Sequence, residues 1–206
     1  MTRTGLVAIL RGISPDEAVA VGRALVEEGM DAIEVPLNSP DPFRSIERLA
    51  AAVGDTVAVG AGTVLTVEEV ARARTAGARL IVSPNADPAV IAATVEYGMR
   101  SYPGVVTPTE AFAALAAGAR SLKLFPAPAV GIAGMRAWRS VLPADVELLP
   151  VGGVDVTNLG DWLAAGADGA GLGSCLYRAG DPADLVRERA RDLVAVAGRS
   201  EPAEDR

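Results

Sequence analysis

The chain contains no histidine. That absence removes the Ser-His-Asp triad, the imidazole general base and every histidine-ligated metal site together. A single cysteine, Cys175, excludes an intramolecular disulfide and a cysteine-built zinc site, and its position suits a small packed residue. No run of about 18 apolar residues occurs, and no basic segment leads into a long apolar one. Membrane spanning and secretion therefore lack support, and the cytoplasm is the expected compartment. Positive charge is scarce too: 19 Lys and Arg stand against 26 Asp and Glu, a net charge of −7. That balance argues against a nucleic-acid scaffold and against a membrane-surface binder. Lysine is scarcest of all, because 18 of the 19 basic residues are arginine and the only lysine is Lys123. An arginine-heavy, alanine-rich coding bias explains why lysine is rare. It does not explain why the survivor sits in SLKLF, an apolar run where a solvated charge is not normally placed.

What the chain has is apolar substance and a strict period. Half of its 206 residues are apolar, enough for one compact domain with a large core. A short apolar run followed by an amphipathic helical pattern repeats to the end. Strands are expected at 6–10, 32–37, 57–62, 79–84, 100–105, 121–126, 147–152 and 169–174. Helices are expected near 16–28, 42–53, 67–76, 88–97, 109–117, 134–142, 157–165 and 182–197. Gly29, Gly54, Gly77, Gly98, Gly118 and Gly166 stand where left-handed helix ends are required. Capping-box spacings Ser14…Glu17, Thr66…Glu69 and Thr107…Glu110 mark helix starts, as do Asp87 and Asp181 before proline.

Such alternation implies a parallel sheet, since each strand needs a crossover helix to reach its neighbour. Eight units are the number that closes a (β/α)8 TIM barrel. A doubly wound open sheet is the rival, but GAGLG (169–173) lacks dinucleotide-fingerprint spacing and no other such motif is present. The expected organisation is one barrel domain over 1–198 and a polar tail over 199–206.

Barrel chemistry gathers at the C-terminal ends of strands. If Leu122 and Leu124 face the helices, Ser121, Lys123 and Phe125 point inward. An amine of ordinary pKa is neutral in only about 1 molecule in 2,500 at pH 7, and apolar walls raise that fraction. A lysine can also snorkel or pair with a carboxylate, which would make it structural. Glu34 is the second anomaly, an acid between Ile33 and Val35 in AIEVPL. Buried, it must be paired or protonated, and either condition suits proton shuttling. A Lys–Glu ion pair is the bland reading of the two. One amine, one carboxylate and no imidazole form a kit for imine chemistry on a keto acid.

Arg11 and Thr63 end the first and third strands, offering a guanidinium fork and a hydroxyl. Glycines in VGGV (151–154) and GLGS (171–174) follow the last two strands, where barrels commonly bind phosphate. Tight turns would need the same glycines.

VAILRG (7–12), EVPLNSP (34–40), GAGTVL (60–65), SPN (83–85), YPG (102–104), LKLFPA (122–127) and VGGV (151–154) together resemble the KDPG/KHG aldolase family across almost the whole chain. The resemblance implies a class I pyruvate aldolase acting on a small phosphorylated keto sugar acid. Lys123 would form the Schiff base and Glu34 would be the general acid and base. Arg11 and Thr63 would hold the substrate's charged end, with Gly152, Gly153, Gly173 and Ser174 around the phosphate. It also implies a homotrimer and no requirement for a metal or organic cofactor. In the family's gluconate branch the paired glycines follow threonine and the second-strand motif carries arginine. Val151 and Asn38 stand there in this chain, matching the galactonate branch. Rival readings are the gluconate or 4-hydroxy-2-oxoglutarate aldolases, a metal-dependent pyruvate aldolase, an isomerase and a non-catalytic phospho-sugar-binding barrel.

Overall fold

The computed structural model describes residues 4–199 and alternates strand with helix from end to end. The strands are β1 (Leu6–Ile9), β2 (Ala32–Pro36), β3 (Ala58–Gly62), β4 (Leu80–Val82), β5 (Arg100–Tyr102), β6 (Gly104–Val105), β7 (Ser121–Leu124), β8 (Glu147–Pro150) and β9 (Ala170–Leu172). Every strand pair is parallel. The hydrogen-bonded orders are β5-β4-β3-β2-β1-β9 and β6-β7-β8.

The expected strand over 100–105 is split because Pro103 has no N–H to give to a ladder. Its carbonyl still accepts from the Lys123 amide at 2.9 Å, so β5 and β6 act as one interrupted strand. The other seam is also joined: Val151 bridges Gly171, and the Asp168 amide donates to the Leu148 carbonyl at 3.0 Å. Counted this way, eight strands close into a (β/α)8 barrel, and the open-sheet rival is not formed.

Side chains sort by strand parity. Leu6, Ala8, Ile33, Val35, Val59, Ala61, Leu122, Leu124 and Leu148 pack outward into the large core beneath the helices. Val7, Ala32, Leu80, Val82, Tyr102 and Leu149 form a separate cluster inside the ring. Leu122 and Leu124 are fully buried, each stabilising by about 1.5–3 kcal/mol. Turning β7 over would forfeit that burial, so the flanking leucines aim Lys123 inward.

The helices are α1 (Pro15–Glu27), α2 (Pro42–Val53), α3 (Val67–Thr75), α4 (Pro88–Glu96), α5 (Pro108–Ala116), α6 (Ala127–Arg139), α7 (Leu159–Ala164) and α8 (Ala183–Arg199). Thr66 and Thr107 cap α3 and α5 with reciprocal Glu69 and Glu110 bonds, and Asp87 caps α4. At Ser14 the Glu17 carboxylate returns to the backbone amide, while the hydroxyl donates to that same carboxylate.

Three local expectations are corrected. Gly54 ends α2 right-handed, with φ −63°, because the chain there continues through a further turn to Val57. The helix expected over 134–142 begins instead at Ala127, and Gly131 (φ 69°) joins two helical runs into α6. Asp181 does not cap α8; its carboxylate accepts from the Arg178 amide and from Arg189. Residues 200–206 of the expected tail lie outside the described residues.

Candidate active site

Lys123 and Glu34 enter the barrel from β7 and β2, at 8% and 2% exposure. Burial dominates both, pressing the Lys123 ammonium below its ordinary range and pushing the Glu34 carboxyl up to about 7. Each resists the other's shift through its charge, and Arg11 lowers both. The two are thus electrostatic neighbours, yet they form no direct ion pair among the described residues. Glu34 Oε2 is buried and accepts no hydrogen bond among the described residues. A purely structural pair would close on itself, because an unpaired buried charge is costly. This one leaves an amine and a carboxylate with capacity for a third group.

Glycines seat the carboxylate. In the β2–β3 register Glu34 lies opposite Gly60, and a Cβ on Gly62 would collide with Glu34 Oε2. Thr63, the next residue, takes φ 56°, a conformation rare for a β-branched side chain. Such strain persists only where the surroundings impose it, and Thr63 stands half-buried directly after the end of β3.

Arg11 leaves β1 and donates from Nη1 to Asn38 Oδ1 at 2.7 Å. The Gly12 amide donates to Ser39 Oγ at 2.9 Å, so the turn after β1 is bound to the turn after β2. Asn38 therefore reaches the site through Arg11.

Above the pair, Phe125 lies over the lysine, with Nζ 4.4 Å from the ring centroid. A Cβ on Gly152 would meet that ring at 3.9 Å, which connects the lysine to the strand ends. There a cavity of about 340 Å³ is lined by Arg11, Val151, Gly152, Gly153, Gly173 and Ser174, with Asp155, Cys175 and Arg178 beside them. Gly152 and Gly153 hold φ of 90° and 71°. The amides of Gly153 and Ser174 donate to no protein acceptor among the described residues. Val151 is buried against Gly171, where a Cβ would come within 2.7 Å of its side chain. Burial pushes the Cys175 thiol up, so it stays protonated and packed.

Arg11, Val151, Gly152, Gly153, Gly173 and Ser174 thus line one cavity, and Asn38 joins it through Arg11; Thr63 is not among the lining residues, and Ser121 turns to Glu147 at the other end of the barrel. Arg178 was not singled out in the sequence: an arginine in a turn is ordinary, and only the return of 174–181 over the cavity gives it meaning. The opposite mouth holds a cavity of about 160 Å³ lined by Asp31, Arg100, Glu147 and Asp168. Its carboxylates are already engaged, Asp31 by Thr4 and Gly5, Glu147 by Ser121, Asp168 by Arg139 and the Leu148 amide. That end is structural. No group of three or more metal-ligating side chains occurs among the described residues.

Comparison with known proteins agrees with this geometry. The family model described as KDPG and KHG aldolase matches residues 1–189. A probable 2-dehydro-3-deoxy-6-phosphogalactonate aldolase of Rhizobium meliloti (strain 1021) is 54% identical over 191 residues, covering 93% of this chain and 90% of the relative. The 2-dehydro-3-deoxy-6-phosphogalactonate aldolase of Escherichia coli (strain K12) is 48% identical over 193 residues, covering 94% of each chain. A solved structure described as native KDPGal superimposes with a TM-score of 0.94 at 46% identity, covering 97% of both chains.

Proposed function

Because the chain belongs to the KDPG and KHG aldolase family, we propose that it cleaves 2-dehydro-3-deoxy-6-phospho-D-galactonate to pyruvate and D-glyceraldehyde 3-phosphate in galactonate catabolism. The observation that carries this reading is the buried Lys123 amine, held beside an unpartnered Glu34 below a glycine-lined cavity. Lys123 attacks the C2 ketone, and loss of water gives a protonated imine. Glu34, directly or through a water, takes the C4 hydroxyl proton as the C3–C4 bond breaks. The electron pair of that bond moves into the imine as an enamine, and the aldehyde departs. Protonation of the enamine at C3 and hydrolysis of the imine release pyruvate and restore the amine. Covalent catalysis divides one difficult scission into easier steps.

Arg11 and Thr63 bind the keto-acid carboxylate. Arg11 fits that end because its charge reaches both Lys123 and Glu34. The amides of Gly153 and Ser174, with the Gly152 and Gly173 backbone, receive the phosphate. The working form is a cytoplasmic homotrimer; sedimentation equilibrium checks the assembly. No helix among the described residues is long and apolar enough to cross a membrane.

A lactate-dehydrogenase-coupled assay with both C4 epimers tests the substrate. The epimers give the same two products, so the discriminating contacts must reach the C4 oxygen. Val151 lines the cavity without a hydroxyl, and Asn38 stands behind Arg11. Discrimination built on one hydrogen bond can reach about 10⁴–10⁵. The galacto epimer is expected to have the higher kcat/KM. Val151→Thr is expected to move the ratio toward the gluco epimer by about tenfold, the order of one hydrogen bond, and incompletely because Asn38 remains. Equal or reversed preference in the wild type would place the protein with the gluconate aldolases.

Gly62→Ala tests the seat of the carboxylate. The added methyl needs the space that Glu34 Oε2 occupies, so the carboxylate must move. Misplacement by about 1 Å can cost about 10²-fold, and pyruvate release is expected to fall on that order. Imine formation at Lys123 is expected to persist. A variant that matches wild-type turnover would show that the position of Glu34 is not critical.

A further inference from the structure

We propose that Arg178 is the cation that binds the substrate's phosphate, so that a side chain from the loop after β9 sets the preference for phosphorylated over unphosphorylated keto sugar acids. The inference rests on the aldolase reading for the identity of the substrate, but not for the presence of an anion site. Arg178 lines the same cavity as Gly152, Gly153 and Ser174. Its Nε donates to the Ser174 carbonyl at 3.2 Å, and neither terminal nitrogen meets an acceptor among the described residues. That commitment sets it apart from Arg48, Arg139, Arg187, Arg189 and Arg191, each of which is paired with a carboxylate. One edge of the guanidinium holds it to the cradle, and the other edge is left for a ligand.

The loop around it is built to hold that pose. Leu176 and Tyr177 are buried, which anchors the residues just before Arg178. The Leu176 and Tyr177 amides both donate to the Gly173 carbonyl at 2.9 Å, coiling the chain back over the cavity. Asp181 accepts from the Arg178 amide at 2.9 Å and from Arg189 Nη1 at 2.5 Å, and Arg189 also reaches the Leu176 carbonyl. Asp181 and Arg189 thus fix the backbone of Arg178 and leave its side chain over the cavity. The remaining acid of the cavity, Asp155, turns its Oδ1 to the Thr157 amide and hydroxyl, at 2.8 and 2.6 Å. Arg11, the other guanidinium of the cavity, donates from Nη1 to Asn38, and its charge acts on Lys123 and Glu34. A dianion in the cavity therefore finds the free amides of Gly153 and Ser174 and a guanidinium whose two terminal nitrogens are unspent. Backbone amides bind a phosphate by hydrogen bonds; the planar guanidinium adds full charge and a bidentate fork.

The test compares wild type with Arg178→Gln and Arg178→Lys. Isothermal titration with D-glyceraldehyde 3-phosphate measures the anion site directly, and steady-state cleavage of the phosphorylated substrate and its unphosphorylated analogue measures the preference. Charge-assisted hydrogen bonds correspond to about 10–100-fold in affinity. Arg178→Gln is expected to weaken aldehyde phosphate binding by about tenfold or more. It should raise KM for the phosphorylated substrate far more than it lowers kcat, and the ratio of phosphorylated to unphosphorylated kcat/KM should fall by a similar factor. Arg178→Lys should recover part of the loss, as a point charge without the fork. Undiminished binding in Arg178→Gln, or an equal loss on both substrates, would overturn the assignment. Failure of the wild type to release pyruvate would instead sink the aldolase reading, leaving the phosphate titration to judge Arg178.

Discussion

Incubation with pyruvate and borohydride is expected to inactivate the protein irreversibly and to add one reduced pyruvate mass per chain. The motive is the position of the only lysine, buried inside the barrel and pressed below its ordinary pKa by desolvation. A nucleophilic amine must be neutral when it attacks, and the apolar wall supplies that condition. The Phe125 ring over Nζ favours the cation, but it lies at the mouth and is itself partly exposed. Glu34 also favours the cation, and burial outweighs it. Because no second lysine exists, the adduct can map only to Lys123 or to the amino terminus. Lys123→Met should lose the adduct and depress pyruvate release by about 10³-fold or more, as removal of a covalent nucleophile does. Labelling confined to the terminus, with activity intact, would refute the imine mechanism.

The inward placement of Lys123 and Glu34 was readable from the sequence because a strand has period two and its apolar flanks declare a side. Leu122 and Leu124 oriented Lys123, and Ile33 and Val35 oriented Glu34. Helix starts at Thr66, Asp87 and Thr107 were readable for a similar reason, since each cap is local chemistry within four residues. Features that depend on tertiary return were not. Asp181 before proline has the look of an N-cap, but Arg189 and the Arg178 amide compete for its carboxylate across a loop. Nothing local announces that this loop folds over the cavity, so Arg178 stayed hidden. α6 was misread because Gly131, with its prolines upstream, reads as an interruption, whereas the helix resumes across it. Gly62 was visible only as one glycine of GAGT. Its use depends on a carboxylate from another strand, 28 residues earlier in the chain, occupying the place of its Cβ.

Glu34→Gln is expected to preserve the fold and a slow imine with pyruvate while lowering turnover by about 10²–10⁴-fold, the usual range for loss of a general acid or base. Glutamine keeps the volume beside Gly62 and removes the titration. The wild-type carboxyl is pushed up to about 7, chiefly by burial, with Lys123 and Arg11 pulling it back. As a base, Glu34 acts in its ionised form, so the sign follows directly. Below about pH 7 the group is mostly protonated and cannot take a proton, and above it the base is present. Exchange of the pyruvate methyl protons with solvent, followed by NMR, isolates this step from carbon–carbon scission. In the wild type the exchange rate should climb through about pH 7; in Glu34→Gln it should be low and should lack that rise. An ordinary exposed glutamate would give its rise near pH 4, so the midpoint reports the burial that the barrel imposes. Asn38 makes a useful contrast, because it is bonded to Arg11 and has no titratable group. If Glu34→Gln exchanges the methyl protons at the wild-type rate and with the wild-type pH profile, the proton shuttle lies elsewhere and Glu34 serves only to set the field around Lys123.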